Sequence, residues 1–171
     1  MFMIGALLLT VASAKSLRAE TVSATVFSVT GTVEFAPPQS VSYAPLKVGQ
    51  VLAVGSTVRT GSDGKAVLQA TPGSAVEVGN DSILRINALS FSKHDGAVTE
   101  RKARLELSSG VVSLLVDPST PKITDFQVQT PAGAAAARGT FYTVVVKDGK
   151  TYSTVNEGKI SNIASPSRGS L

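Results

Sequence analysis

The sequence predicts an all-β protein, and three observations support this fold class. From residue 20 onward the chain consists of short segments rich in Val, Thr, Leu and Ile, which are residue types enriched in β-strands. Most segments end at Gly, Asn-Asp or Asp-Gly, which are typical of tight turns. No stretch of about 12 residues carries a convincing apolar stripe with the period of a helix. We therefore expect a compact single domain with short strands and glycine turns.

The individual strands are predicted from alternating apolar and polar residues between these turns. Leu105 and Leu107, for example, fall on one face of a strand. Asp63-Gly64 and Asp148-Gly149 each separate two strand-like segments and suit turns that require positive φ. The predicted strands are residues 21–29, 32–36, 56–60, 65–70, 74–78, 83–86, 103–107, 111–116, 126–129, 141–147, 151–156 and 159–162.

One segment departs from this pattern because it has high helix propensity. Ala132 to Ala137 consists of Ala and Gly, follows Pro131 and ends before Arg138-Gly139. We predict at most one or two helical turns there.

The N-terminal segment of the chain indicates export. Phe2 to Val11 is uncharged and apolar, and Ala12-Ser13-Ala14 follows it with the small-x-small pattern of a signal-peptidase site. The apolar run has about ten residues, whereas a spanning helix needs about 20. We therefore predict a signal peptide over residues 1–14, a β domain over 21–162 and a flexible tail over 163–171. The mature protein would be periplasmic, secreted or at the cell surface, without a stable membrane span.

Charge and composition argue against nucleic-acid binding. The chain has 16 Lys and Arg against 12 Asp and Glu, a net charge of +4, and no Trp. Its densest basic segment, Lys93 to Arg104, is interrupted by Asp95 and Glu100. Nucleic-acid sites need a denser basic face and stacking aromatics, so we interpret this segment as a solvated edge.

Catalytic and metal-binding residues are scarce. The chain has no Cys, and its only histidine, His94, lies in a polar turn. Asp63, Asp95 and Asp148 stand before glycines, where Asp is common for backbone reasons alone. Asn80-Asp81-Ser82 offers oxygens for a hard cation but lacks the spacing of an EF-hand. We therefore expect no enzyme activity, no cofactor and no metal.

A series of motifs in fixed order gives the chain a family resemblance. The most specific is Phe126 to Pro131 (FQVQTP), followed by six Ala and Gly residues and then Arg138-Gly139-Thr140. The others are residues 29–33, 46–52, 54–61, 64–68, 73–74, 80–82 and 105–116, then Val155, Glu157-Gly158 and Ile160. From Val22 to Ile160 this order resembles the FecR domain, a family named after the ferric-citrate sensing regulator of bacterial envelopes.

The resemblance implies a compact β architecture with solenoid-like winding, which the strand pattern alone does not separate from a sandwich or a barrel. The chain departs from the family at Pro72, where Asp is frequent, and at Phe141-Tyr142, where the family places one aromatic. Sigma-regulating relatives carry an anti-sigma segment and a membrane helix ahead of this domain. Only about 20 residues precede it here, so we do not expect direct anti-sigma activity.

The residues that we single out for a structural or interaction role belong to the most specific motif and to the last one. Arg138 is foremost, because its guanidinium has five donors that can bind backbone carbonyls or a carboxylate such as Glu157 or Glu106. The full set is Thr130, Pro131, Arg138, Gly139, Thr140, Glu157 and Gly158.

Two functions remain open. The resemblance implies a protein-protein interaction module in envelope sensing or signalling, with exposed strand edges as the interface. The alternative is a carbohydrate or cell-wall binding module, which the sequence supports less well, because sugar-stacking sites favour Trp and Tyr and the chain has only three Tyr.

Overall fold

The computed structural model describes residues 20–117, 119, 121–137, 141–157 and 160–164. These residues form β-strands and one short 3₁₀-helix, Pro121–Ile123, so the all-β prediction is confirmed. No helix among them is long and apolar enough to cross a membrane. The strands are β1 (Glu20–Thr21), β2 (Ala24–Thr30), β3 (Val33–Ala36), β4 (Ala44–Pro45), β5 (Val51–Leu52), β6 (Thr57–Thr60), β7 (Lys65–Gln69), β8 (Ser74–Val78), β9 (Ile83–His94), β10 (Ala97–Val116), β11 (Thr124–Thr130), β12 (Gly133–Ala137), β13 (Phe141–Lys147), β14 (Lys150–Glu157) and β15 (Ile160–Ala164).

The strands form one curled sheet that closes into a half-barrel. Its two halves share β10. Half-sheet 1 has the order β4-β3-β6-β9-β10-β11-β12-β15, with β1 also paired to β9. Half-sheet 2 has the order β5-β2-β7-β8-β10-β13-β14. The described pairs are antiparallel except β10 with β11.

The long strand β10 passes from one half-sheet to the other through a bend. Its residues from Ala97 to Ser109 pair with β9, and those from Gly110 to Val116 pair with β8 and β13. The buried positions are odd-numbered from 101 to 107 and even-numbered from 112 to 116. A bulge next to Leu107 shifts this two-residue alternation. The apolar side of β10 thus faces inward in both halves, and the strands predicted over 103–107 and 111–116 are one strand.

A single apolar core lies between the two half-sheets. It contains alternate residues from nearly every long strand, and its largest fully buried side chains are Tyr142 and Phe126. Each fully buried large apolar side chain contributes roughly 1.5 to 3 kcal/mol of stability. Of the two adjacent aromatics that stand where the family places one, Tyr142 lies in the core and Phe141 is partly exposed.

The helical turns predicted over Ala132 to Ala137 are wrong. Residues Gly133–Ala137 form strand β12, which pairs with β11 on one side and β15 on the other. Pairing along both edges outweighs the helix propensity of alanine, which is a weak local preference. Ala135 is buried, and its methyl group belongs to the core.

Candidate interaction surface

The motif that the sequence singles out is partly within the described structure. Arg138, Gly139, Thr140 and Gly158 lie outside the described residues. The backbone of Glu157 pairs with Phe141 at the end of β14. The proposed contacts of Arg138 therefore stay predictions.

Thr130 is the last residue of β11, and Pro131 is exposed in the turn that leads to β12. The hydroxyl of Thr130 lies 2.8 Å from the carbonyl oxygen of Gly133 and 2.7 Å from the hydroxyl of Thr151. Because one hydroxyl carries one proton, Thr130 donates to Gly133 and accepts from Thr151. Thr130 thus joins a turn of half-sheet 1 to strand β14 of half-sheet 2.

The segment Asn80-Asp81-Ser82 is a structural corner. The Ser82 hydroxyl accepts a hydrogen bond from the amide of Val111 at 2.9 Å, and the Thr60 hydroxyl accepts one from the amide of Ser82 at 2.9 Å. These bonds hold the turn before β9 against the bend of β10 and against the end of β6. No group of three His, Cys, Asp or Glu side chains within the described residues could hold a metal ion.

The remaining sequence candidates lie in exposed turns. His94 is exposed at the end of β9, with its Nε2 3.3 Å from the Asp95 carboxylate. Asp63 accepts a hydrogen bond from the amide of Thr32 at 3.2 Å. This bond lowers the pKa of the Asp63 carboxyl below its ordinary value.

One buried arginine, Arg101, is not among the residues predicted to matter from the sequence. Arg101 is only 5% exposed, although its segment was interpreted as a solvated edge. It covers Gly73, which has a φ of 74° in the turn from Thr71 to Ser74. Hydrogen bonds from Ser119 and then the charge of Arg101 lower the pKa of Asp117. The two-residue alternation of the strand could have indicated that Arg101 faces inward, because residue 101 shares its face with the buried residues 103, 105 and 107.

The outer face of half-sheet 1 is charged and paired. Arg59 binds Glu34 at 2.6 Å, and Arg104 binds Asp125 at 2.6 Å. Asn87 donates to the carboxylate of Glu106 at 3.1 Å. This is an ordinary solvated surface.

The outer face of half-sheet 2 is different, because it exposes large apolar side chains. The described residues include six large apolar side chains that are exposed, and four of them lie on strands of half-sheet 2: Phe27, Val51, Leu115 and Tyr152. The half-buried Val111, Phe141 and Val145 lie on β10 and β13, beside Leu115 and Tyr152, and β7 and β8 separate them from Phe27 and Val51. We call these seven residues the apolar face.

The strand register joins the residues of the apolar face into rows. Leu115 of β10 lies opposite Phe141 of β13, and Val145 of β13 lies between Val111 and Tyr152. Leu115 is 53% exposed and Tyr152 is 56% exposed. Side chains directly opposite on neighbouring strands have their Cβ atoms about 5 Å apart. The row of Val111, Val145 and Tyr152 is therefore continuous across β10, β13 and β14, whereas the row of Leu115 and Phe141 meets Glu157 on β14.

A cleft of about 430 Å³ adjoins one end of the apolar face. Val111 and Val145 line it together with the turn residues Asn80, Asp81 and Asp148. The apolar face therefore ends in a concave region with polar groups on its rim.

Comparison with known families agrees with the sequence motifs. A model described as FecR protein matches residues 56–161, more than half of the chain. The chain belongs to the FecR family. This family is regulatory, its domain is typically periplasmic, and membership suggests a role in sensing or signalling at the envelope. No curated protein and no solved structure matches this FecR-family chain.

Proposed function

We propose that this chain is an exported, non-catalytic protein of envelope sensing that acts by binding another protein through the apolar face. The observation that carries the proposal is the contrast between the two outer faces of one curled sheet. The face of half-sheet 1 bears the ion pairs of Arg59 and Arg104, whereas the face of half-sheet 2 bears four of the six large exposed apolar side chains of the described residues together with the ion pair Lys65–Glu77. Contiguous exposed apolar patches mark interaction sites in soluble proteins.

A protein surface suits the apolar face better than a sugar does. Its three rings come from β2, β13 and β14, and strands β7, β8 and β10 separate the ring of β2 from the other two. Sugar-stacking sites rely on aromatic rings, whereas protein interfaces combine an apolar centre with a polar rim. The hydroxyl groups of Ser113 and Thr143 lie within this surface, 2.9 Å apart.

Site-specific photo-crosslinking tests the proposal. A benzophenone amino acid at position 115 or 152 should form adducts with an envelope protein in intact cells. The matched control is position 88, because Ala88 is exposed on the outer side of half-sheet 1. Equal adducts from position 88, or none from 115 and 152, would contradict it. Retention on purified cell-wall glycans that Tyr152→Ala abolishes would favour the carbohydrate-binding alternative.

Export is tested separately by intact-mass analysis of the envelope fraction. We expect the mature chain to begin at Lys15, after the small-x-small sequence. An uncleaved chain in the membrane fraction would contradict both the cleavage and the exported module.

A further inference from the structure

We infer that strand β14 binds an extended segment of the partner protein, which adds to half-sheet 2 as a further strand. The inference rests on the proposed function, because it names the kind of segment that this chain recognises in its partner. Three features of the structure support it: the open edge of β14, the number of strands in the two half-sheets, and the side chains at the start of β14.

The edge of β14 is long and lacks the features that usually protect an edge. Among the described strands, β14 pairs with β13 alone, and it has eight residues. The strands β4 and β5, at the opposite ends of the two half-sheets, have two residues each. Residues 151–155 contain no charge, proline or glycine, and their register with β13 is continuous. Proteins protect exposed edges by short strands, charges, proline or bulges, so this edge is suited to pairing.

The turn between β13 and β14 determines which backbone groups point to the open edge. Residues 148–149 have φ values of 51° and 69°, as a two-residue type I′ turn requires. Such a turn joins Lys147 and Lys150 by a hydrogen bond, and bonded pairs alternate along antiparallel strands. Every second residue from Lys150 onward therefore bonds to β13, whereas the N–H groups of Thr151 and Val155 point away from it. An extended segment is the partner that such backbone groups recognise.

Half-sheet 2 has one strand fewer than half-sheet 1 on this side of β10. Among the described strands, β11, β12 and β15 follow β10 in half-sheet 1, whereas β13 and β14 follow it in half-sheet 2. The hydroxyl groups of Thr130 and Thr151 lie 2.7 Å apart, so the end of β11 reaches β14. A strand added to β14 would give both half-sheets three strands beyond β10.

The side chains at the start of β14 indicate which sequence fits. Lys150 lies directly opposite Lys147, and neither forms an ion pair within the described part of the chain. Like charges directly opposite each other are unfavourable, so an Asp or Glu beside Lys150 would offset this repulsion. Tyr152 is exposed on the same face and ends the row of Val111 and Val145. We therefore expect an acidic residue beside Lys150 and an apolar residue two positions away, beside Tyr152.

Two synthetic peptides test the inference: Asp-Thr-Val-Thr-Val-Thr and its reverse, which fit β14 in the parallel and the antiparallel direction. The measurement is amide hydrogen exchange of the mature chain, followed by NMR. In the free chain the amides of Thr151 and Val155 should exchange fast, and one of the peptides should slow both by about tenfold or more. The amide of Tyr152, which bonds to β13, is the internal reference.

A reversal of charge tests the recognition of the acidic residue. Lys150→Glu should weaken binding of the acidic peptide about fivefold and strengthen binding of the same peptide with Lys in place of Asp. The matched control is Lys93→Glu, which makes the same change at an exposed residue of β9 and should leave both affinities unchanged. Equal effects of the two variants would contradict the predicted acidic residue.

Slow exchange of Thr151 and Val155 in the free chain would overturn the inference, because the edge would already be covered. Binding that leaves both amides unchanged, or no binding of either peptide at millimolar concentration, would also overturn it. In each of these cases the proposed function still stands if positions 115 and 152 crosslink to an envelope protein.

Discussion

Tyr142 is the largest fully buried side chain of the core, and its hydroxyl has no hydrogen-bond partner within the described residues. Burial raises the pKa of this phenol, because the charged form would lose its hydration. A buried hydroxyl without a partner costs about 1 to 3 kcal/mol of stability relative to its hydrated state. The ring therefore stabilises the core while the hydroxyl opposes that stabilisation.

Replacing Tyr142 by Phe should raise the free energy of unfolding by about 1 kcal/mol, since it removes the unpaired hydroxyl and keeps the ring. Urea denaturation of the purified chain measures this change. Tyr152→Phe is the control, because Tyr152 is more than half exposed and its hydroxyl is hydrated. A loss of stability in Tyr142→Phe would show that the hydroxyl has a partner.

Asp63 predicts a pH dependence of stability. Its pKa in the folded chain is lowered, first of all by the hydrogen bond from the Thr32 amide. The ionised carboxylate therefore stabilises the fold above the unfolded value of about 3.9, and this stabilisation is lost as the pH falls through the folded pKa. The melting temperature of Asp63→Asn should differ most from the parent above about pH 5, and the difference should shrink on acidification. A difference that does not change with pH would contradict this role.

The bend of β10 is the element that determines how the half-sheets meet. Gly110 has a φ of 88°, and a Cβ atom there would lie 2.5 Å from the Cα of Ser82. A side chain at residue 110 would thus strain the backbone and push away the corner that the Ser82 hydroxyl fastens. No comparable neighbour lies near Gly96, which has a φ of 79° and nothing within 4 Å of its Cβ position.

A comparison of Gly110→Ala with Gly96→Ala distinguishes the cost of positive φ from the cost of a steric clash between the new methyl group and its neighbours. Both replacements place alanine at positive φ, which costs roughly 1 to 2 kcal/mol. Only Gly110→Ala adds the clash, so it should destabilise the chain by about 1 to 3 kcal/mol more than Gly96→Ala. Equal melting temperatures for the two variants would show that the corner moves aside freely.

The sequence predicts some of these elements and not others, for physical reasons. Two-residue alternation is local, and it identifies the strands on either side of the bend. The bulge that joins them depends on pairing with β9, a contact between distant parts of the chain. Local propensity also misassigns β12, because its alanines become a strand only between β11 and β15. The same alternation could have identified Arg101 as inward-facing.

At the scale of the whole molecule, the fold class and the family follow from the sequence, whereas the apolar face does not. Its residues come from β2, β5, β10, β13 and β14, which are far apart in the chain and share one face only through the sheet order. Single exposed apolar residues are common and carry no signal of their own. The sequence pointed instead to strand edges and to Arg138, whose role stays a prediction.

The three tyrosines of the chain permit one direct test of the central claim, that half-sheet 2 carries the binding surface. Tyr43 lies beneath Arg59 on half-sheet 1, Tyr142 lies in the core, and Tyr152 lies on the apolar face. The measurement is the ¹⁹F NMR spectrum of the 3-fluorotyrosine-labelled chain, recorded first for the chain alone and then with solubilised envelope proteins. We predict that the Tyr152 resonance shifts or broadens while the Tyr43 and Tyr142 resonances remain unchanged. A Tyr43 resonance that responds while Tyr152 stays constant would contradict the account.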